Sequence, residues 1–346
     1  MTELRENSSI VPSRRDSLTE LVRVYRCLLA VLLYVLGFPT VLYAAEFHLL
    51  SSWSPAYIGR PEIAGRYIEN LERRVDIEIS IRTSGPEAIP PFEQLEPTAV
   101  GLVDMLFTHG AYHVGETGIG VALGAVRPGP RLRRSSGLWA LIDAHYRALG
   151  LKVLSLPTSS RGYHVLLNKP VSKRCDLQGR KIRGSPVYHG LIRSLNATPV
   201  VLPAGEIYAA LEKGVIDGAA WPAAGSLPFR WFEVSKYFLR PTFGATTHLL
   251  LMNLERFESL ADDLQNALLA EGERLELDVH KRFDELVTIE TNEFINHGLV
   301  ATQLCGEQLQ QLETSWANGA WRLGIQKSDA DARQLRDLAR AVGLAQ

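Results

Sequence analysis

The chain has 346 residues, of which 46% are hydrophobic and 22% charged, and its 37 basic and 38 acidic residues leave a formal net charge of −1. A chain of this composition can bury a proper core, so disorder is not expected, and its length suits two ordinary domains. Because the net charge is small, nothing in the composition favours a nucleic-acid partner.

Residues 1–45 have the layout of a signal peptide or an N-terminal anchor. Basic residues precede an apolar run at 27–35, and the small residues Ala44 and Ala45 end the segment. The uninterrupted run is short for a bilayer span, whereas the whole segment is long enough for an uncleaved anchor. We expect cleavage near Ala44 or Ala45 and a periplasmic location, with a membrane anchor as the alternative.

Cleavage would remove Cys27 and leave Cys175 and Cys305 in an oxidising compartment, where thiols can pair. The two residues are far apart in sequence, so one disulfide and two unpaired thiols remain equally open. No zinc-type spacing surrounds them, and we expect neither a metal site nor a cofactor.

The first half of the mature chain alternates short apolar runs with amphipathic stretches. Residues 47–50 predict a strand, 63–75 a helix and 77–81 a strand, which together form a β-α-β unit. A short helix at 92–99 and a buried strand at 102–107 follow. Repeated alternation of this kind predicts parallel sheets flanked by helices.

The middle of the chain predicts a β-α-β-α-β run. One strand ends at Arg183, and Ser185 then caps a helix with Pro186 at its first position. Strands at 198–202 and 215–221 enclose a helix at 205–213.

The last third of the chain is mainly helical. After a strand at 247–252, Ser259 is the predicted cap of a long helix that reaches Phe294. This helix either bends near Gly272 or spans two domains, and we favour the second, with a bend allowed. Residues 299–301 predict a further strand, and 328–342 a terminal helix.

Three side chains suit a ligand site by their position. Ligands of open α/β sheets bind beyond the carboxyl ends of the strands, where Arg183 would present a planar guanidinium to a carboxylate. Trp221 ends a neighbouring strand and offers a ring face and one N–H donor. Arg161 precedes the apolar run 163–167 and would supply a second cation. The structural alternatives are ion pairs for the arginines and a core position for Trp221.

Four consecutive motifs resemble one protein family. They are Asp-Leu-Gln-Gly-Arg-Lys-Ile-Arg-Gly-Ser-Pro at 176–186, Asn-Ala-Thr-Pro-Val-Val-Leu-Pro at 196–203, Glu-Ile-Tyr-Ala-Ala-Leu at 206–211 and Gly-Val-Ile-Asp-Gly-Ala at 214–219. In this order and spacing they are similar to the DctP-type solute-binding proteins of tripartite ATP-independent periplasmic (TRAP) transporters.

The resemblance implies an α/β fold of the periplasmic binding protein type. Two α/β lobes would enclose a cleft and be joined by crossing hinge strands and a long helix. Lobe I would comprise 46–158 plus about 248–285, and lobe II 159–247 plus about 286–346.

The resemblance also assigns roles to the candidate site residues. Arg183 would form a bidentate salt bridge to a ligand carboxylate, and Arg161 would be the second arginine. Trp221 stands where many members carry asparagine, a feature of a branch that binds keto acids and other small carboxylates. Trp53 and Tyr188 complete the predicted lining.

The expected function is that of a receptor without catalytic activity. It would capture a small organic acid and deliver it to the small and large TRAP membrane subunits. The alternatives are a bilobal periplasmic enzyme that uses His109 or His248 as acid or base, and a ligand-sensing partner of a receptor kinase.

Overall fold

The computed structural model describes residues 45–74 and 78–345. The predicted leader or anchor and its Cys27 lie outside the described residues, except that Ala45 opens the first strand. The strands, in chain order, are β1 Ala45–Ser51, β2 Ile79–Ser84, β3 Met105–His109, β4 Leu151–Ser155, β5 Thr158–Ser159, β6 Tyr163–Leu167, β7 Lys181–Arg183, β8 Thr198–Val200, β9 Gly218–Pro222, β10 Tyr237–Arg240, β11 Thr246–Asn253 and β12 Val300–Gln303.

Helices connect and cover these strands. They are α1 Arg66–Glu72, α2 Leu95–Ala99, α3 Ile119–Ala122, α4 Pro130–Ser135, α5 Leu138–Ala148, α6 His189–Ser194, α7 Ile207–Glu212, α8 Leu254–Glu258, α9 Asp262–Asn296, α10 Gly306–Gln310, α11 Leu312–Lys327 and α12 Asp329–Ala341. In the part of the chain that the structure describes, no helix has both the length and the apolar character that a membrane span requires.

The strands form two sheets. Sheet 1 has the order β2-β1-β3-β11-β4, with β5 paired to β11, and sheet 2 has the order β12-β10-β6-β9-β7-β8. The predicted α/β class is confirmed. The predicted β-α-β-α-β run is also present, because β7 pairs in parallel with both β8 and β9.

Each sheet contains a strand that runs against its neighbours, so the expectation of wholly parallel sheets was wrong. In sheet 1, β11 is antiparallel to β3, β4 and β5. In sheet 2, β6 is antiparallel to β9 and β10. Both strands enter their sheet directly from the other sheet, β6 from β5 and β11 from β10. They therefore begin at the edge where their neighbours end.

Strand β11 shows how the sheets are covered on both faces. All eight of its residues are buried. Leu249 and Leu251 belong to one apolar cluster, whereas Leu250 and Met252 belong to another. Because successive side chains of a strand point to opposite faces, both faces of sheet 1 are packed at this strand.

The long helix α9 runs from sheet 1 to sheet 2. Its 35 residues span about 52 Å at the usual rise of an α-helix. Near its start, Gly272 lies so close to β4 that an added Cβ would come within 2.1 Å of the Leu154 carbonyl oxygen. Near its end, the Phe294 ring lies 5.6 Å from that of Phe238 in β10. The helix therefore runs from one sheet to the other without interruption.

The start of α9 differs from the prediction. Ser259 is not its cap: the hydroxyl donates 2.7 Å to the Arg256 carbonyl oxygen at the end of α8. Ala261 precedes α9 and makes no side-chain cap. The capping side chain in this region is Asn253, which accepts a hydrogen bond from the Arg256 amide at the start of α8.

A disulfide joins Cys175 and Cys305, whose Cα atoms are 5.0 Å apart. It links the segment before β7 to the segment after β12. Of the two alternatives that the sequence left open, the structure has the paired one.

The division of the chain into lobes stays a prediction. The strands of sheet 1 lie within 45–159 and 246–253, and those of sheet 2 within 163–240 and 300–303. The terminal helix α12, predicted in lobe II, packs against α3 and α5 on the side of sheet 1.

Candidate ligand-binding site

A small cavity lies where the two sheets meet. The carboxyl ends of β3, β7 and β9 and the first residues of β6 and β11 border it. The side of sheet 1 contributes Trp53, Tyr57, His109, Tyr112 and His248, and sheet 2 with its loops contributes Tyr163, Arg183, Ser185, Tyr188 and Trp221. Four of the five predicted contacts, Arg183, Trp221, Trp53 and Tyr188, are thus brought together.

Arg183 places a buried positive charge beside this cavity. It is 3% exposed at the end of β7, where its Nε donates 2.9 Å to the Leu202 carbonyl oxygen and its Nη1 donates 3.4 Å to that of Ala220. Burial lowers the pKa of the guanidinium. Among the described residues, no carboxylate forms an ion pair with it. A buried cation held only by neutral carbonyls is a site that favours an anion.

Trp221 forms the wall next to this cation. Its ring centroid lies 5.2 Å from the Arg183 Cζ atom and 4.9 Å from the ring of Trp231, which packs behind it. Its indole N–H is buried and has no hydrogen-bond partner in the described part of the chain. Trp221 therefore retains one donor that the protein itself does not use.

Aromatic rings on the side of sheet 1 line the cavity opposite Trp221. The Trp53 ring stacks on Tyr57 at 4.8 Å and meets Tyr112 edge-on at 5.5 Å. Tyr57 in turn meets Trp221 edge-on at 5.9 Å, so the rings of the two sides are in contact. Tyr188 lies 5.1 Å from Tyr163 on the side of sheet 2.

Two histidines in the cavity are paired with tyrosines. His109 Nε2 lies 2.9 Å from the Tyr163 hydroxyl, and His248 Nε2 lies 2.8 Å from the Tyr57 hydroxyl. Burial lowers the pKa of His109 to about 4 and, together with the proximity of His109, that of His248 to about 3. Both rings are therefore neutral near pH 7, which leaves Arg183 as the charged group among the described residues lining the cavity.

Arg161 lies outside the cavity, contrary to the expectation of a second cation there. Its side chain is 52% exposed, and its Nε lies 3.6 Å from the Asp284 carboxylate on α9. Arg161 sits in the turn between β5 and β6, where Gly162 has a φ of +50°. After this turn Tyr163, the first residue of β6, takes the position beside the cavity.

The pairing of β6 with β9 explains why Tyr163, which the sequence analysis did not predict as a site residue, lies beside the cavity. Tyr163 pairs with Pro222, the residue after Trp221, so both strands bring side chains to the same edge of sheet 2. The only signal in the sequence was the position of Tyr163 at the start of an apolar run. His248 pairs with His109 across β11 and β3 in the same way.

The described residues contain no cluster of three or more histidine, cysteine, aspartate or glutamate side chains with the geometry to hold a metal ion. His109 and His113, which are four residues apart, form hydrogen bonds with different tyrosines. His113 Nε2 lies 2.8 Å from the Tyr146 hydroxyl, away from the cavity.

One family model matches a large part of the chain. The model for bacterial extracellular solute-binding protein, family 7 (DctP), matches residues 133–320, which is more than half of the chain. The chain belongs to this family. The resemblance seen in the four motifs is thereby confirmed, and the matched range includes Arg161, Arg183, Tyr188 and Trp221.

Curated relatives in this family match over part of their length. The monocarboxylate 2-oxoacid-binding periplasmic protein of Nostoc sp. is 27% identical over 197 residues, which cover 54% of this chain and 51% of the relative. The 2,3-diketo-L-gulonate-binding periplasmic protein of Escherichia coli is 29% identical over 136 residues, covering 38% and 41%. The matched stretch thus spans about half or less of these relatives.

Solved structures of the solute-binding protein family share the whole fold. The Bordetella pertussis DctP7 receptor, which binds pyroglutamic acid, superposes with a TM-score of 0.74 at 16% identity, covering 86% of this chain and 100% of that one. A TRAP solute-binding protein of Desulfovibrio salexigens with bound orotic acid gives 0.73 at 18%, covering 86% and 98%. At these identities the likeness establishes the two-lobed fold.

Proposed function

We propose that this protein is the extracytoplasmic receptor of a TRAP transporter and captures a small organic carboxylate through Arg183. One observation carries the proposal: a buried guanidinium, which has no carboxylate partner among the described residues, borders a ring-lined cavity between two sheets. An anionic ligand would supply the missing counter-charge, and the planar guanidinium suits the two oxygens of a carboxylate.

The remaining lining residues take supporting roles in the proposal. The free indole N–H of Trp221 donates to a polar atom of the ligand, and Trp53 and Tyr188 enclose its body. Arg161 receives no role in binding, because it is exposed and lies beside Asp284.

Capture by closure of two lobes fits the connections between the sheets. Two short segments, β5 to β6 and β10 to β11, and the helix α9 join sheet 1 to sheet 2. Bending at a few residues of such connections opens and closes a binding protein around its ligand. In the proposal, the closed receptor then delivers the ligand to the small and large TRAP membrane subunits.

The curated relatives support an acidic ligand. The names of these relatives include a monocarboxylate 2-oxoacid, a diketo acid and a C4-dicarboxylate as ligands. They are also called periplasmic, which agrees with a cleaved leader at 1–45 and a periplasmic location for this protein.

Binding without chemistry is favoured over the enzyme alternative. An acid–base role needs a histidine with a pKa near the working pH. The pKa values of His109 and His248, about 4 and about 3, lie far below it. The Nε2 atom of each imidazole is also engaged in a hydrogen bond with a tyrosine hydroxyl. We therefore expect the ligand to leave the protein unchanged.

A thermal-shift screen of carboxylic acids against their neutral amides tests the proposed function. We expect at least one small carboxylate to raise the melting temperature while its amide, which has the same shape, does not. Ligand released by denaturing the complex should have the same mass as the ligand added. Equal stabilisation by acid and amide, or a changed mass, would contradict the proposal.

A further inference from the structure

The cavity offers its ligand a single positive charge. Arg183 is the cation among the described residues that line it, and no acidic side chain lines it. Arg240, another partly buried arginine of sheet 2, donates instead to the Leu239 carbonyl oxygen and the Thr291 hydroxyl. A second negative charge on the ligand would therefore be buried without a counter-charge.

The other polar groups of the wall are neutral. The hydroxyls of Tyr57 and Tyr163 are hydrogen-bonded to the histidines, and the Thr246 hydroxyl donates 2.9 Å to the Gly162 carbonyl oxygen. The Trp221 N–H and the hydroxyls of Tyr112, Tyr188 and Ser185 remain as neutral donors. Neutral donors offset less of the cost of burying a second carboxylate than a cation does.

The rest of the wall is made of flat rings. Tryptophan and tyrosine side chains come from both sheets, and five of them are nearly inaccessible to solvent: Trp53, Tyr57, Tyr163, Tyr188 and Trp221. Aromatic faces pack best against other flat groups, in stacked or edge-on contact. A planar ligand body makes such contacts on several sides at once.

We propose that the ligand is a monocarboxylate with a flat, uncharged body, and that the single cation in a ring-lined cavity excludes dicarboxylates. This inference rests on the proposed function and narrows its ligand class. The carboxylate binds Arg183, one acceptor atom of the body pairs with the Trp221 N–H, and the plane of the body lies against the rings.

Isothermal titration calorimetry with furan acids separates charge, flatness and size. The probes are 2-furoate, its saturated counterpart tetrahydro-2-furoate, furan-2,5-dicarboxylate and 5-carbamoyl-2-furoate. The last two have the same shape and differ by one charge. The purified protein is first freed of any co-purified solute by unfolding and refolding.

We expect 2-furoate to bind about threefold to tenfold more tightly than tetrahydro-2-furoate, because the flat ring packs better. We expect 5-carbamoyl-2-furoate to bind at least about 100-fold more tightly than furan-2,5-dicarboxylate, because the second charge meets no cation.

Three results would overturn this inference and leave the proposed function standing. The first is a dicarboxylate that binds within tenfold of its carbamoyl analogue, and the second is succinate binding where no furan acid binds. The third is tetrahydro-2-furoate binding as tightly as 2-furoate. If no carboxylate binds, in this series or in the acid and amide screen, the proposed function itself fails.

Discussion

The guanidinium of Arg183 and the indole of Trp221 share one face of sheet 2, with the Arg183 Cζ atom 5.2 Å from the ring centroid. Arg183 pairs in register with Ala219 of the parallel strand β9. Trp221 lies two residues further along β9 and therefore on the same face as Ala219. The strand pairing itself thus places a cation beside a ring that carries a free N–H donor.

Replacing Trp221 by phenylalanine should weaken ligand binding while keeping an aromatic wall. Loss of one hydrogen bond to an acceptor on the ligand predicts a loss of about 1–2 kcal/mol in binding free energy, or roughly 5- to 30-fold in Kd. Calorimetric titration of Trp221→Phe measures this change.

Trp321 provides the matched control. Its indole N–H is likewise buried without a partner among the described residues, but Trp321 lies on α11 and does not line the cavity. Trp321→Phe should leave the affinity unchanged. Equal losses in the two variants would argue against a contact between Trp221 and the ligand.

The sequence predicted the positions of Arg183 and Trp221 at the ends of neighbouring strands, because the information for these positions is local. Arg183 and Trp221 each end a strand of the β7–β9 run, and the strand and helix pattern there is unbroken. The position of the Arg161 side chain depends instead on a distant part of the chain. The turn at Gly162 directs Arg161 towards Asp284, 123 residues later in the chain. The side of the turn on which it lies depends on α9, which no pattern around Arg161 reveals.

The same distinction applies to the histidines and to the long helix. His109 and His248 meet only because β11 returns from sheet 2 and pairs with β3. The apolar spacing of α9 predicted its existence and span correctly. Its start was misjudged, since Ser259 is equally suited to bond the end of a preceding helix, as it does here.

Reduction of the Cys175–Cys305 disulfide should destabilise the protein. The bond closes a loop over a sequence separation of 130 residues, and a cross-link of this kind typically contributes about 2–4 kcal/mol to the free energy of unfolding. Urea denaturation with and without a thiol reductant measures the loss. The double variant Cys175→Ser, Cys305→Ser should show the reduced stability and no response to reductant; an equal response in both proteins would contradict the pairing.

Acidification should destabilise the protein partly through His113. Burial lowers its pKa to about 3 in the folded state, against an ordinary value of 6.5 in the unfolded chain. As the pH falls, the unfolded chain therefore takes up a proton at His113 before the folded protein does. The free energy of unfolding is not reduced by this group well above pH 6.5, and it decreases as the pH falls from 6.5 towards 3. Between pH 7 and pH 5 the loss is about 2 kcal/mol for this one group.

Urea denaturation of the wild type and of His113→Gln at pH 7 and pH 5 tests this linkage. The variant lacks the titrating group, so the gap in unfolding free energy between the two proteins should shrink by about 2 kcal/mol on acidification. A gap that stays constant with pH would show that His113 does not stay neutral in the folded protein.

The most direct test of the central claim is calorimetric titration of Arg183→Gln with the carboxylate that gives the largest thermal shift. Removing one member of a desolvated charge pair costs about 2–5 kcal/mol, so the affinity should fall at least about 30-fold. Arg161→Gln, at an arginine outside the cavity, should bind as the wild type does. A folded Arg183→Gln protein that binds the carboxylate with wild-type affinity would contradict the account.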